Sequence, residues 1–208
     1  PFSPKKTPVE KKQTYSLWGK VIVAIIPAGV SGVFLDDLVD NVLSSSLVIA
    51  ATLIIYGIAF IWVERQGKKP KTNTLEELTY KTAFFIGLFQ VLSLVPGTSR
   101  SGSTILGAII VGCSRFVGTE FSFFMAVPVM FGASGLKLVK FLAKGAVINT
   151  TEWAVMITGF VVTFFVSVWA IKFLIGYIKK HDFKPFGIYR IILGIIVIIA
   201  VATNFLPM

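Results

Sequence analysis

The 208-residue sequence predicts an all-α polytopic membrane protein, with about five transmembrane helices and one re-entrant helix–loop–helix. Three observations lead there. Hydrophobic residues make up 55% of the chain and charged residues only 14%, against the roughly 25% charged residues typical of soluble domains. The mean hydropathy is +0.82, more apolar surface than folding alone can remove from water, so lipid covers part of it. The apolar residues also gather into runs of crossing length, and two half-length runs flank a break rich in Gly, Pro and Ser.

Crossing about 30 Å of hydrocarbon at about 1.5 Å per residue takes roughly 20 apolar residues in a helix. The first run is 18–35, containing Pro27 and several glycines that neighbouring helices tolerate in a membrane. An acidic loop with Asp36, Asp37 and Asp40 follows. The second run, 47–63, ends at Glu64-Arg65, and a polar linker, 66–78, carries Lys68, Lys69 and Lys71. Three later runs, 120–142, 155–178 and 186–206, are also long enough. Lys172 and Arg190 fall within their ends, where long side chains reach the interface. Trp18, Tyr56, Trp62 and Trp153 read as interfacial or packing aromatics.

Residues 83–113 do not fit one crossing. The run 83–95 is too short to span, breaks at Pro96-Gly97-Thr98-Ser99-Arg100-Ser101-Gly102-Ser103, and resumes over 104–113. Half-length apolar segments around such a break read as a re-entrant hairpin over about 83–113, with the second half-helix starting near Gly102. Non-helical backbone at membrane depth survives only where protein buries it or water fills a cavity beside it.

The formal charge of +10 comes from 20 Lys and Arg against 10 Asp and Glu. The basic residues sit in short clusters between apolar runs, the pattern that orients helices, with no basic face interleaved with aromatics as nucleic-acid binding would need. Residues 1–17, 64–81 and 179–184 are basic and are expected in the cytoplasm, with the Asp-rich loop outside. Lys137, Lys140 and Lys144 then fall on the outer side, a mild violation. One cysteine, Cys113, and one histidine, His181, exclude an intrachain disulfide, Cys-based metal sites and paired-His metal motifs. His181, in a basic turn, reads as solvated.

The break is where chemistry is expected. A guanidinium near mid-membrane costs roughly 2.5–3.5 kcal/mol on insertion scales, so Arg100 there needs a carboxylate or an anionic ligand. Thr98, Ser99, Ser101, Ser103 and Thr104 offer hydroxyls, Gly97 and Gly102 allow close backbone approach, and the following half-helix aims its positive end at the loop. Together these make a phosphate or diphosphate site. The alternative is a hinge or packing feature with Arg100 at the interface. Glu120 reads either as an N-terminal helix carboxylate or as a salt-bridge partner of Arg100 or Arg115. Gln90 reads either as a helix–helix hydrogen-bonding residue or as part of the site lining. No GxxxxGK[ST] phosphate loop is present.

The segment PGTSRSGST, Pro96 to Thr104, resembles the second signature, PGxSRSxxT, of the undecaprenyl-diphosphate phosphatase family, also called bacitracin-resistance proteins. It matches at Pro96, Gly97, Ser99, Arg100, Ser101 and Thr104. Gly87-Leu88-Phe89-Gln90 before it fits too, as do Ser114-Arg115, Glu120-Phe121-Ser122-Phe123 and Ala126-Val127-Pro128 after it. The resemblance implies a multi-pass protein of the bacterial cytoplasmic membrane, built on inverted repeats with re-entrant hairpins. It implies removal of the terminal phosphate from undecaprenyl diphosphate, which recycles the lipid carrier of cell-wall synthesis at the outer face, with a divalent cation such as Mg2+ or Ca2+. It assigns Arg100, Ser99 and Ser101 to catalysis, and Pro96, Gly97, Thr98, Gly102, Thr104 and Gln90 to substrate binding. The expected partners are the polyprenyl diphosphate lipid and membrane lipids, with a homodimer as candidate assembly and no nucleic acid.

The family's first signature, an (E/Q)xxxE pair followed by Pro-Val-Ser-Ser-Thr-Gly-His, has no counterpart here. The expectation is that residues 1–208 are one integral membrane domain, the C-terminal portion of a longer protein. The metal ligands and the general base would then lie in an N-terminal segment, and this stretch alone would not turn over. A rival class is a polyprenyl-phosphate transporter using the same anion site without hydrolysis, and a third is a ligand-free structural subunit. The SRxxxxxH signature of other lipid phosphatases fails, with Leu106 and Phe121 where a His is needed.

Overall fold

The computed structural model describes residues 7–42, 45–67, 69–143, 149–178, 181–203 and 205, the side chains of 36–42 and 142 aside. Residues 1–6, Lys68, Lys144, the Lys179-Lys180 pair and Leu206 lie outside the described residues.

The described chain is all-α: α1 (Pro8–Val42), α2 (Ser46–Arg65), α3 (Tyr80–Val91) with a 3-10 turn (Leu92–Leu94), α4 (Arg100–Ile110), α5 (Arg115–Ala143), α6 (Thr150–Ile178) and α7 (Lys184–Ala202). Among the described residues, five stretches are long and apolar enough to cross a membrane: Pro8–Leu35, Ser46–Arg65, Arg115–Phe141, Thr150–Ile178 and Lys184–Ala202. The protein is a multi-pass α-helical membrane protein. The acidic segment after Leu35 is not a loop, because α1 continues through Asp36, Asp37 and Asp40 to Val42. Neither Gly nor Pro interrupts Leu-Asp-Asp-Leu-Val-Asp, so nothing stops helical propagation there.

The chain forms two compact units, residues 1–125 with 182–208, and residues 126–181. In the first, α2 and α7 run antiparallel at close range. A Cβ on Gly57 would meet the Gly187 carbonyl oxygen at 2.7 Å, and one on Gly194 would meet that of Ala50 at 2.9 Å. Small residues let helix backbones approach where lipid supplies no hydrophobic drive between helices. Helices α1 and α3 run parallel, with Gly19 beside Tyr80 and Gly87 against the Ala24 backbone. Their shared core joins Val21, Ala24, Ala83 and Ile86 to Ala108, Val117, Phe121 and Met125.

The second unit holds the remainder of α5 and all of α6. On α6 and just beyond, Trp169, Phe173, Tyr177 and His181 stack at four-residue spacing, with the His181 ring 4.3 Å from that of Tyr177. His181 is exposed, and its Nδ1 lies 3.2 Å from the Tyr177 carbonyl oxygen.

Candidate functional site

The site begins where α3 stops. Val95 is extended (φ −72°, ψ 122°), as the residue before a proline prefers, and Pro96 cannot continue the hydrogen-bond ladder. Gly97 follows at φ +84°. A Cβ there would overlap Thr52 Oγ1 and crowd the Ile49 backbone of α2, so both conformation and space require glycine. The Thr52 hydroxyl donates to the Pro96 carbonyl at 2.8 Å.

Ser99 then turns the chain into α4. It is a non-glycine residue at positive φ, with φ 67° and ψ 119°, a conformation that costs of order 1–3 kcal/mol. Its Oγ caps the helix by accepting from Gly102 N–H at 3.3 Å and lies 3.5 Å from Ser101 Oγ. The expected helix start near Gly102 moves to Arg100, because the Ser99 cap recruits the two residues between.

The hairpin closes on one side. Gly112 O accepts from Lys71 N–H at 2.7 Å and Thr72 N–H at 3.1 Å, while Ser114 N–H donates to Thr72 O at 2.8 Å. Next to this seam Arg115 pairs with Glu64 at the C-terminal end of α2. The break itself touches Thr52, about 9 Å along α2 from Ser46 and about 18 Å from Glu64 at 1.5 Å per residue. Pro96 and Gly97 therefore lie within the length of α2 that is apolar enough to cross a membrane.

Within the loop the side chains divide. Thr98 (1% exposed), Ser103 and Thr104 are buried. Ser103 Oγ donates to Ser99 O, and Thr104 Oγ1 lies 3.1 Å from both Arg100 O and Ser101 O, so both hydroxyls brace the helix's first turn. Ser99 is exposed, and Arg100 and Ser101 are half-buried. Arg100 Nη1 is buried, and among the described residues no acceptor takes it or the N–H groups of Ser99, Arg100 or Ser101. An unpaired buried donor such as Arg100 Nη1 is costly, and it belongs to the residue that opens α4, where the helix dipole favours an anion.

Sequence reasoning missed one residue. Arg190 does not reach the interface but is 4% exposed. Its Nη2 donates to Gly97 O at 2.6 Å and Thr98 O at 3.0 Å, and its guanidinium lies 5.8 Å from the Tyr56 ring centroid. The signal available was an arginine six residues into an apolar helix, deeper than snorkelling comfortably serves. Gln90, by contrast, makes no side-chain hydrogen bond to the loop among the described residues. It is 2% exposed, and its Oε1 meets no donor. Arg115 forms an ion pair with Glu64, a partner the sequence did not suggest.

The divalent cation implied by the resemblance does not fit the described residues. No group of three or more His, Cys, Asp and Glu side chains among them is placed to hold a metal ion, and the break presents guanidiniums rather than carboxylates.

The profile of the bacitracin resistance protein BacA matches residues 2–196. An undecaprenyl-diphosphatase of Enterococcus faecalis is 56% identical over 200 residues, covering 95% of this chain and 72% of that protein. The undecaprenyl-diphosphatase of Acetivibrio thermocellus is 54% identical, covering 96% and 73%. Undecaprenyl-diphosphatase 1 of Clostridioides difficile is 52% identical, covering 95% and 71%.

Proposed function

The chain belongs to the bacitracin resistance protein BacA family, and from that premise we propose that it hydrolyses undecaprenyl diphosphate to undecaprenyl phosphate and inorganic phosphate. The observation that carries this reading is the unpaired Nη1 of Arg100 beside the open N–H groups that begin α4. A diphosphate supplies the acceptors those donors lack.

In this reading Arg100 clamps the terminal phosphoryl group, and the N–H groups of Ser99 to Ser101 stabilise the charge that grows on its oxygens. Ser99 and Ser101 donate hydroxyls to phosphate oxygens. Thr104 braces the turn, Pro96, Gly97, Thr98 and Gly102 shape the cradle, and Gln90 lines the pocket. A water oxygen attacks the terminal phosphorus and the bond to the bridging oxygen breaks. The polyprenyl monophosphate departs with the bridging oxygen, and the water's proton passes to a general base. The family's divalent cation remains part of the proposal, with no step assigned to it. The placement proposed is the bacterial cytoplasmic membrane, with the loop reached from the outer face.

The test is phosphate release from undecaprenyl diphosphate in detergent with magnesium. It compares the 208-residue chain with the chain extended upstream to the length of its relatives, each beside an Arg100→Lys copy. The extended form is expected to release phosphate. Its Arg100→Lys copy should be slower by about 10³-fold or more, because a point charge cannot replace a planar fork at a transferring phosphoryl group. Unchanged turnover in Arg100→Lys would sink the clamp. Binding and liposome flipping of the lipid without phosphate release would replace hydrolysis by transport.

A further inference from the structure

A second guanidinium serves the same loop from another helix. Arg190 projects from α7 and is almost fully buried. Through Nη2 it holds two successive carbonyls, Gly97 O at 2.6 Å and Thr98 O at 3.0 Å. Its Nη1 lies against α4 at Gly102, where an added Cβ would stand 3.6 Å away. Its Nε is buried with no acceptor among the described residues. With Thr52 holding the Pro96 carbonyl at 2.8 Å, three consecutive carbonyls of the break are tied to flanking helices.

Peptide planarity gives this tie a consequence. The chain contains no cis peptide among its described residues, and in a trans peptide the C=O and the following N–H point in opposite directions. Turning Thr98 O toward Arg190 therefore turns Ser99 N–H away from it. Left untied, the Gly97 and Thr98 carbonyls would be free to swing toward an incoming phosphate and repel it. The positive φ of Ser99 is a conformation the backbone does not hold unaided, and the two bonds immediately before it supply a restraint.

We infer that Arg190 is a positioning residue of the anion site. It draws the Gly97 and Thr98 carbonyls away from the ligand, so that the N–H groups of Ser99, Arg100 and Ser101 converge on a phosphate oxygen. This rests on the diphosphate reading of the loop and adds a residue outside its sequence motif. Arg190 acts through the backbone, so what it requires is donors at that point rather than contact with substrate. A lysine, with three donors on one nitrogen, retains part of the function, and an isosteric apolar side chain retains none.

The experiment measures affinity for inorganic pyrophosphate and the thermal midpoint, in detergent, for the wild-type chain, Arg190→Met, Arg190→Lys and Arg100→Met. Arg190→Met is expected to weaken pyrophosphate binding by about 30-fold or more with at most a modest fall in the midpoint, since removing a buried charge offsets part of the cost of the two carbonyls left without a donor. Arg190→Lys is expected to stay within about tenfold of wild type. Should Arg190→Met not fold, Arg190→Gln, which keeps fewer donors than lysine, carries the same expectation of weaker binding than Arg190→Lys. Wild-type affinity in Arg190→Met overturns the inference, as does an Arg190→Lys no better than the apolar or amide variant. Binding that is lost in Arg100→Met but intact in Arg190→Met removes Arg190 alone and leaves the loop's anion site standing. Wild-type protein that binds no pyrophosphate, or binds it equally after Arg100→Met, overturns the diphosphate reading and this inference with it.

Discussion

Glu64 of α2 accepts both prongs of the Arg115 guanidinium. Nε lies 2.8 and 3.0 Å from the two carboxylate oxygens, and Nη2 closes on Oε2. The same carboxylate takes the N–H of Phe183, just before α7, at 3.2 Å. One buried side chain thus ties the end of α2 to the starts of α5 and α7, on the side where the hairpin enters and leaves.

Removing that acceptor is expected to loosen all three. Glu64→Ala orphans the buried Phe183 N–H, while Arg115, 46% exposed in its side chain, turns to solvent and softens the loss. The expected destabilisation is about 1–3 kcal/mol, read as a fall in thermal midpoint of roughly 2–12 °C for a chain of this size. A midpoint equal to wild type would show that the tie contributes nothing net.

The backbone at Ser99 gives a prediction of opposite sign. Glycine adopts its φ of 67° without penalty, and as a helix N-cap it costs only a few tenths of a kcal/mol relative to serine. Alanine keeps the strain and loses the cap. Ser99→Gly is therefore expected to be more stable than Ser99→Ala by about 1–3 kcal/mol, and at least as stable as wild type, while phosphate release falls in both. Differential scanning fluorimetry in detergent orders the three proteins. Glycine melting at or below alanine would mean the turn stores no strain.

Cys113 sits in the seam at the foot of the hairpin, buried next to Thr72. Burial pushes its thiol up to about 11, against a smaller opposing effect of the Thr72 hydrogen bond. The thiolate is the reactive form, so maleimide labelling of the folded protein at pH 8 is expected to be far slower than after denaturation in SDS. The folded state keeps a proton that the unfolded state releases near 9.0. This group's contribution to stability is therefore complete below about pH 9 and is lost as pH rises through about 11. Equal labelling rates in folded and denatured protein at pH 8 would contradict a buried, protonated thiol.

The sequence by itself determined the class of the protein and the place to look. Apolar runs of crossing length leave a helix in lipid as the means of satisfying the backbone, and each corresponds to a helix within about five residues at either end except the first, 18–35, which α1 (Pro8–Val42) overruns at both ends. Pro96 and Gly97 stop one helix, and Ser99 caps the next, through rules local to a few residues, so PGTSRSGST announced both the break and its charge. The continuation of α1 through Asp36, Asp37 and Asp40 was also a local matter, since no Gly or Pro interrupts that segment. What only the tertiary structure decided were the long-range partners. Glu64 meets Arg115 across 51 residues, although Glu120 lies nearer in sequence, and Arg190 reaches Gly97 across 93. Hydrophobic periodicity says which residues leave water, but a guanidinium inside an apolar helix has no preferred partner until α2, α4 and α7 pack and bring carbonyls or carboxylates within hydrogen-bond reach. The charge at the break is local information, whereas the carbonyls that face away from it are set by a helix 90 residues on.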